Sequence, residues 1–215
     1  MIVAPALAAP LLLGFALGLR HALDADHLAA MGTIVARERS VRRAAILGAV
    51  WGVGHSTSLF LASLLVIVWR IPFPPALAHG LELGVAAMLI VLGVQSLVTF
   101  TRGAPARAGA AAGPLPGLAG STRRRPFLVG LVHGLAGSGG LALLVLPSLP
   151  DSGSALAYVA LFGLGSVGGM ALWSAVLSFP IGRVARSSGS MARWVPVLSG
   201  IVSVGCGVAL AVQLA

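Results

Sequence analysis

Arg20-His21-Ala22-Leu23-Asp24-Ala25-Asp26-His27 is the stretch on which the reading of this chain turns. It follows a run from Ala4 to Leu19 that carries no charge, and it sets two imidazoles and two carboxylates within seven positions. The chain has only five His and five acidic residues, so four of those ten sit here. Ionisable groups at membrane depth cost several kcal/mol each unless they are paired or bound to something. Such a concentration inside an apolar segment points to a membrane protein that holds a cation.

Composition sets the same frame. The 215 residues are 58% hydrophobic and 9% charged, with a mean hydropathy of +1.01, a polytopic membrane profile rather than a soluble one. All 14 basic residues are Arg, and all but Arg20 lie in the stretches between apolar runs, as orientation signals do. The net charge of +9 is therefore read as topology and not as a nucleic-acid surface. One cysteine, Cys206, offers neither a disulfide framework nor a thiolate cage. The amino terminus lacks a basic n-region, which argues against a cleaved signal peptide.

Apolar runs of about 20 residues define six expected spans, roughly 4–36, 44–69, 78–100, 127–149, 155–179 and 194–214. The first is longer than a bilayer needs, so it is tilted, broken near the polar motif, or extended into the cytoplasm. Arg37, Arg39, Arg42 and Arg43 occupy the first loop, five arginines from Arg102 to Arg125 the third, and Arg183, Arg186 and Arg193 the fifth. The second loop has only Arg70, and the fourth has Asp151 and no base. The positive-inside rule then places loops one, three and five in the cytoplasm and both termini outside, in a bacterial inner membrane.

Sliding the chain by 112 positions aligns Gly18-Leu19-Arg20-His21-Ala22-Leu23 with Gly130-Leu131-Val132-His133-Gly134-Leu135. At an offset of 111, Trp51-Gly52-Val53-Gly54-His55 faces Phe162-Gly163-Leu164-Gly165-Ser166. Each half has three spans, an odd number, so the halves have opposite orientation, the plan of secondary transporters with a site near the midplane. The expected fold is all-α: a three-helix repeat over 1–100, an Ala/Gly/Pro/Arg-rich cytoplasmic connector over 101–125, and a second repeat over 126–215.

On a regular helix at about 100° per residue, Asp24 and His27 fall at roughly −60° and −120° from His21, on one face. Asp26 falls near +140°, so either it supports the site from behind or the helix is distorted and turns it inward. Imidazole nitrogen with carboxylate oxygen suits Ni, Co, Zn or Mn, and the scarcity of thiols disfavours Cu(I). His21, Asp24, Asp26, His27 and, from the next span, His55 are the candidate metal ligands. His133, Ser56, Thr57 and Ser138 are candidates for support or pathway lining, the last within a Gly-rich run able to unwind around a cavity. A lone intramembrane His is also often a helix–helix hydrogen-bonding group, and that reading stands beside the metal one for His55 and His133. Arg20 could pair with Asp24 or Asp26. The four Trp read as packing or interface anchors, and His79 with Glu82 as the polar end of the third span.

At these residues the chain resembles the nickel/cobalt transporter family. His21, four residues, then Asp26-His27 matches that family's signature, and Val53-Gly54-His55-Ser56-Thr57 is similar to the motif of its next span. The resemblance implies that His21, Asp26, His27 and His55 recognise divalent nickel or cobalt. The specific match covers about the first 60 residues. The chain is closer to the short six-span branch that includes urease- and hydrogenase-associated transporters, where a motif like Val132-His133-Gly134-Leu135-Ala136-Gly137-Ser138 recurs.

The function expected is secondary transport of Ni²⁺ or Co²⁺ across the inner membrane, with no resident cofactor, no nucleic-acid partner and no enzyme activity. Uptake is favoured, because a divalent cation entering a negative cytoplasm gains about 4.6 kcal/mol per 100 mV. The alternatives are efflux by proton exchange and an intramembrane serine hydrolase using Ser138 with His133 or His55. The second lacks the Gly two positions before the Ser and a His in the last span.

Overall fold

The computed structural model describes residues 3–36, 38, 40–70, 74–101, 123–135, 149–187 and 194–215. Among them are seven α-helices and no strand: α1 Val3–His21, α2 Ala25–Val35, α3 Val41–Val68, α4 Pro75–Thr101, α5 Arg124–Leu135, α6 Ser152–Ser187 and α7 Trp194–Leu214. Four stretches are long and apolar enough to cross a bilayer: Val41–Val68, Pro75–Thr101, Ser152–Pro180 and Trp194–Leu214. The first expected span is broken, as its length suggested. The fourth expected span is described only through α5, and the Gly-rich run with Ser138 lies outside the described residues, as does most of the connector.

The break has a local cause. After His21 the chain makes two tight turns, with the Leu23 N–H on the Arg20 carbonyl (2.8 Å) and the Asp24 N–H on the His21 carbonyl (3.1 Å). Asp24 then takes non-helical angles (φ −58°, ψ 143°) as the cap of α2, and its carbonyl accepts the Leu28 N–H at 2.9 Å. An Asp at a cap normally turns its carboxylate onto the helix's own free N–H groups. Asp24 does not, because its carboxylate is engaged by His21. α3 starts more conventionally, with the Ser40 hydroxyl accepting the Arg43 N–H at 3.4 Å.

α3 lies against α5 and α6, α1 runs along α6, α4 along α7, and the short α2 is enclosed by α7, α6, α4 and α3. Without a hydrophobic force between helices in lipid, close backbone approach at small residues holds such pairs. A Cβ at Gly18 of α1 would strike the Phe162 carbonyl of α6, and one at Gly130 of α5 would strike the Trp51 carbonyl of α3. Likewise Gly165 of α6 abuts the Phe15 carbonyl of α1, and Gly54 of α3 abuts the Phe127 carbonyl of α5. Hydroxyls add crosslinks: Ser203 donates to the Leu89 carbonyl and Ser96 to the Pro196 carbonyl, both at 2.7 Å. Large apolar side chains such as Leu12, Leu61, Leu164, Leu198 and Val212 point outward and are more than half exposed, a surface suited to lipid.

Candidate metal site

The kink between α1 and α2 brings both ends of the motif to one buried point, where α3 and α5 add a residue each. His21, His27, His55 and His133 are all at most 1% exposed. His27 is the hub: its ring centroid lies 4.3 Å from those of both His21 and His133, and 5.0 Å from that of His55. Trp51, one helical turn before His55, closes the cluster with its ring 5.4 Å from His27 and 5.5 Å from His133.

The two carboxylates do different things. Asp24, 42% exposed, accepts from His21 alone among the described residues, with Oδ2 2.8 Å from Nδ1. Asp26, 28% exposed, spans the cluster: Oδ1 lies 2.9 Å from His27 Nδ1 and Oδ2 2.9 Å from His133 Nε2. Its Oδ1 also accepts the His27 backbone N–H at 2.9 Å. A carboxylate on one ring nitrogen fixes the tautomer and turns the other nitrogen's lone pair outward, the arrangement that supports metal-ligating His. With N–H toward Asp24, His21 presents Nε2 as a lone pair, 3.2 Å from His55 Nε2. With N–H toward Asp26, His27 presents Nε2, a buried atom without a hydrogen-bond partner among the described residues. His55 Nδ1 and His133 Nδ1 are buried without partners among those residues as well. An unmatched buried polar atom costs about 1–3 kcal/mol, so several imidazole nitrogens in one place describe a site built for a ligand.

Two sets of ligand atoms come within 4.8 Å of one another: His21 with His27 and His55, and Asp26 with His27 and His133. Simple geometry supports the first. Ligands at about 2.1 Å from a first-row divalent ion are separated by about 3.0 Å at right angles and about 3.4 Å in a tetrahedron. The 3.2 Å between His21 Nε2 and His55 Nε2 falls in that range.

The sequence-derived candidates divide accordingly. His21, Asp24, Asp26, His27, His55 and His133 are brought together. Asp26 does not point away, because the wheel that sent it to the far face assumed an unbroken helix. Thr57 is exposed and returns its O–H to the Val53 carbonyl at 2.7 Å. Ser56 donates to the Gly163 carbonyl of α6 at 3.0 Å, a helix clasp. The hydroxyl beneath the cluster is that of Ser58, which donates to the His55 carbonyl at 3.0 Å. Arg20 is exposed, and the motif's carboxylates pair with imidazoles instead. His79 is exposed and takes no part. Trp51, read from sequence as a packing residue, does pack in the core and also lines the cluster, as its place one turn before His55 allows.

The described residues thus form helices only, four of them apolar enough to cross a bilayer, around a buried cluster of imidazoles and carboxylates whose donor set suits a metal ion. Residues 8–103, a little under half of the chain, match the model of the high-affinity nickel-transport protein family. A urease accessory protein, UreH, from Bacillus sp. (strain TB-90) is 28% identical over 180 residues, 82% of this chain and 79% of that protein. A high-affinity nickel transport protein from Cupriavidus necator is 43% identical over 65 residues, 30% of this chain and 18% of that longer protein. No solved structure matches.

Proposed function

We propose that this protein carries Ni²⁺ or Co²⁺ into the cell across the bacterial inner membrane, with His21, His27 and His55 as the ligands of the transported ion. The observation that carries this reading is the approach of three buried imidazoles, from α1, α2 and α3, to within 4.8 Å of one another. Asp24 and Asp26 orient His21 and His27 and supply the negative charge that a divalent ion needs when it leaves water. Borderline nitrogen donors favour nickel and cobalt over magnesium or calcium, which take oxygen ligands. The membrane potential favours entry by about 4.6 kcal/mol per 100 mV for a divalent ion.

The inverted-repeat plan is part of this proposal, and the glycine contacts support it. Gly18 on Phe162 has its mate in Gly130 on Trp51, and Gly165 on Phe15 has its mate in Gly54 on Phe127. Each pair of contacts is related by the same shifts of 112 and 111 positions that relate the motifs. In this plan the two three-helix units are 1–100 and 126–215, loops one, three and five face the cytoplasm, and both termini are outside.

The deciding experiment is accumulation of radioactive nickel and cobalt in cells producing the wild type or His27→Ala at matched membrane levels. Uptake that depends on His27 is expected. Faster loss of preloaded metal from wild-type cells would establish efflux instead, and wild-type uptake by His27→Ala would refute the ligand set.

A further inference from the structure

Resting on the transport reading, we propose that the ion occupies a second, successive position formed by Asp26, His27 and His133, reached by transfer around His27. The two ligand sets share only His27. A divalent ion stripped of ligands in a low-dielectric interior is prohibitively costly, so it moves only where new ligands engage before old ones leave. His27 provides that continuity, with its ring equally close, 4.3 Å, to those of His21 and His133. The rings of His55 and His133 are themselves neighbours, with centroids 5.9 Å apart, so the two ligand sets adjoin.

A further observation points to His133 as a ligand and not only a helix clasp. Its Nδ1 is buried and, among the described residues, lacks a hydrogen-bond partner although Nε2 is engaged by Asp26. The positions also differ in chemistry. The first offers three imidazoles with carboxylates behind them; the second offers a carboxylate directly and draws one ligand from α5, so an ion there is held jointly by α2 and α5. The ligand class is a borderline divalent ion able to accept both donor types.

The test uses purified protein, Co²⁺ as the spectroscopic probe, and uptake into proteoliposomes. His133→Gln keeps a side-chain N–H for Asp26 but removes the ring nitrogens. It is expected to bind Co²⁺ within about threefold of the wild type and to transport at least 20-fold more slowly. Transport within threefold of the wild type would show that His133 merely anchors Asp26, and would overturn the proposal. Loss of Co²⁺ binding by a monodisperse His133→Gln protein would overturn it too, by placing His133 in a single undivided site. A second variant approaches from the other side: His55→Ala weakens the first position and should strand Co²⁺ at the second, with an altered visible spectrum that disappears in the His55→Ala/His133→Gln double variant. A spectrum insensitive to the added change refutes the second position. Wild-type protein that neither binds nor moves Co²⁺ or Ni²⁺ would refute the transport reading itself, an outcome distinct from failure of His133→Gln alone.

Discussion

Asp24→Asn and Asp26→Asn remove one negative charge apiece from residues two positions apart, and the geometry makes their consequences unequal. Asp24 accepts one hydrogen bond, from His21 Nδ1, and is 42% exposed. The Asn carbonyl can take over that bond, so the His21 tautomer survives and only the charge is lost. Asp26 accepts from two imidazoles at once, one on each oxygen. An Asn there has one acceptor and one donor, so either His27 or His133 meets an N–H and must change tautomer or swing away. Loss of a carboxylate behind a metal-ligating His typically costs 10–100-fold in affinity. Asp24→Asn should therefore weaken Co²⁺ or Ni²⁺ binding about 10-fold, or about 1.4 kcal/mol, and Asp26→Asn about 100-fold or more, at least about 2.7 kcal/mol. Calorimetric titration of the detergent-purified proteins, each first shown to be monodisperse, measures both. Equal losses, or a larger loss for Asp24→Asn, would refute the assignment of one imidazole to Asp24 and two to Asp26.

Trp51 should report binding directly: its ring lies 5.4 Å from His27, so Ni²⁺ or Co²⁺ should quench its fluorescence, and Trp51→Phe should remove the metal-sensitive component. Gly54→Leu and Gly165→Leu intrude on carbonyls of α5 and α1 and should each lower stability by about 1–3 kcal/mol, read as similar falls in detergent melting temperature. At the start of α6, the N–H and hydroxyl of Ser154 hold the Asp151 carboxyl below its ordinary range. A depressed folded-state value means the cap is intact above the usual carboxylate pKa and is lost as pH falls through the lowered one. The hydrogen-exchange protection factor at the first turn of α6, corrected for the intrinsic pH dependence of exchange, should be unchanged between pH 7 and 5 in the wild type and lower throughout in Asp151→Ala. Reporter fusions near Gly113 and at the C-terminus should fall on opposite sides of the membrane; the same side would refute the proposed topology.

Much of the site was legible because polar residues are so rare in this chain. Two His and two Asp in an apolar run needed no structure to be singled out, nor did His55 one span later, and the excess length of the first span anticipated its break. What stayed hidden depended on that break's angle. A straight helix sends Asp26 away from His27's face, whereas two turns at Ala22–Asp24 restart the helix and let Asp26 reach across. His133 could be matched to His21 by the repeat, but no periodicity reveals a bond between residues 107 positions apart. Trp51 was read as a packing residue and is one, buried in the core with Met31 and Leu89, and its ring contacts with His27 and His133 come in addition to that packing.

The interruption between α1 and α2 also orients two helix dipoles on one point. The C-terminal end of α1, at His21, carries roughly half a negative charge, and the N-terminal end of α2, at Ala25, roughly half a positive one. A cation beside His21 is drawn by the first and repelled by the second. Asp26 sits in the first turn of α2, where a carboxylate cancels the repelling end while its oxygens face the imidazoles. An acid moved one turn further along α2 would lie beyond the reach of that field, which falls off within the first turn. The tight spacing of Asp26 to the helix start is thus an electrostatic requirement in its own right: it turns a broken helix from one attracting end and one repelling end into a socket that attracts from both sides.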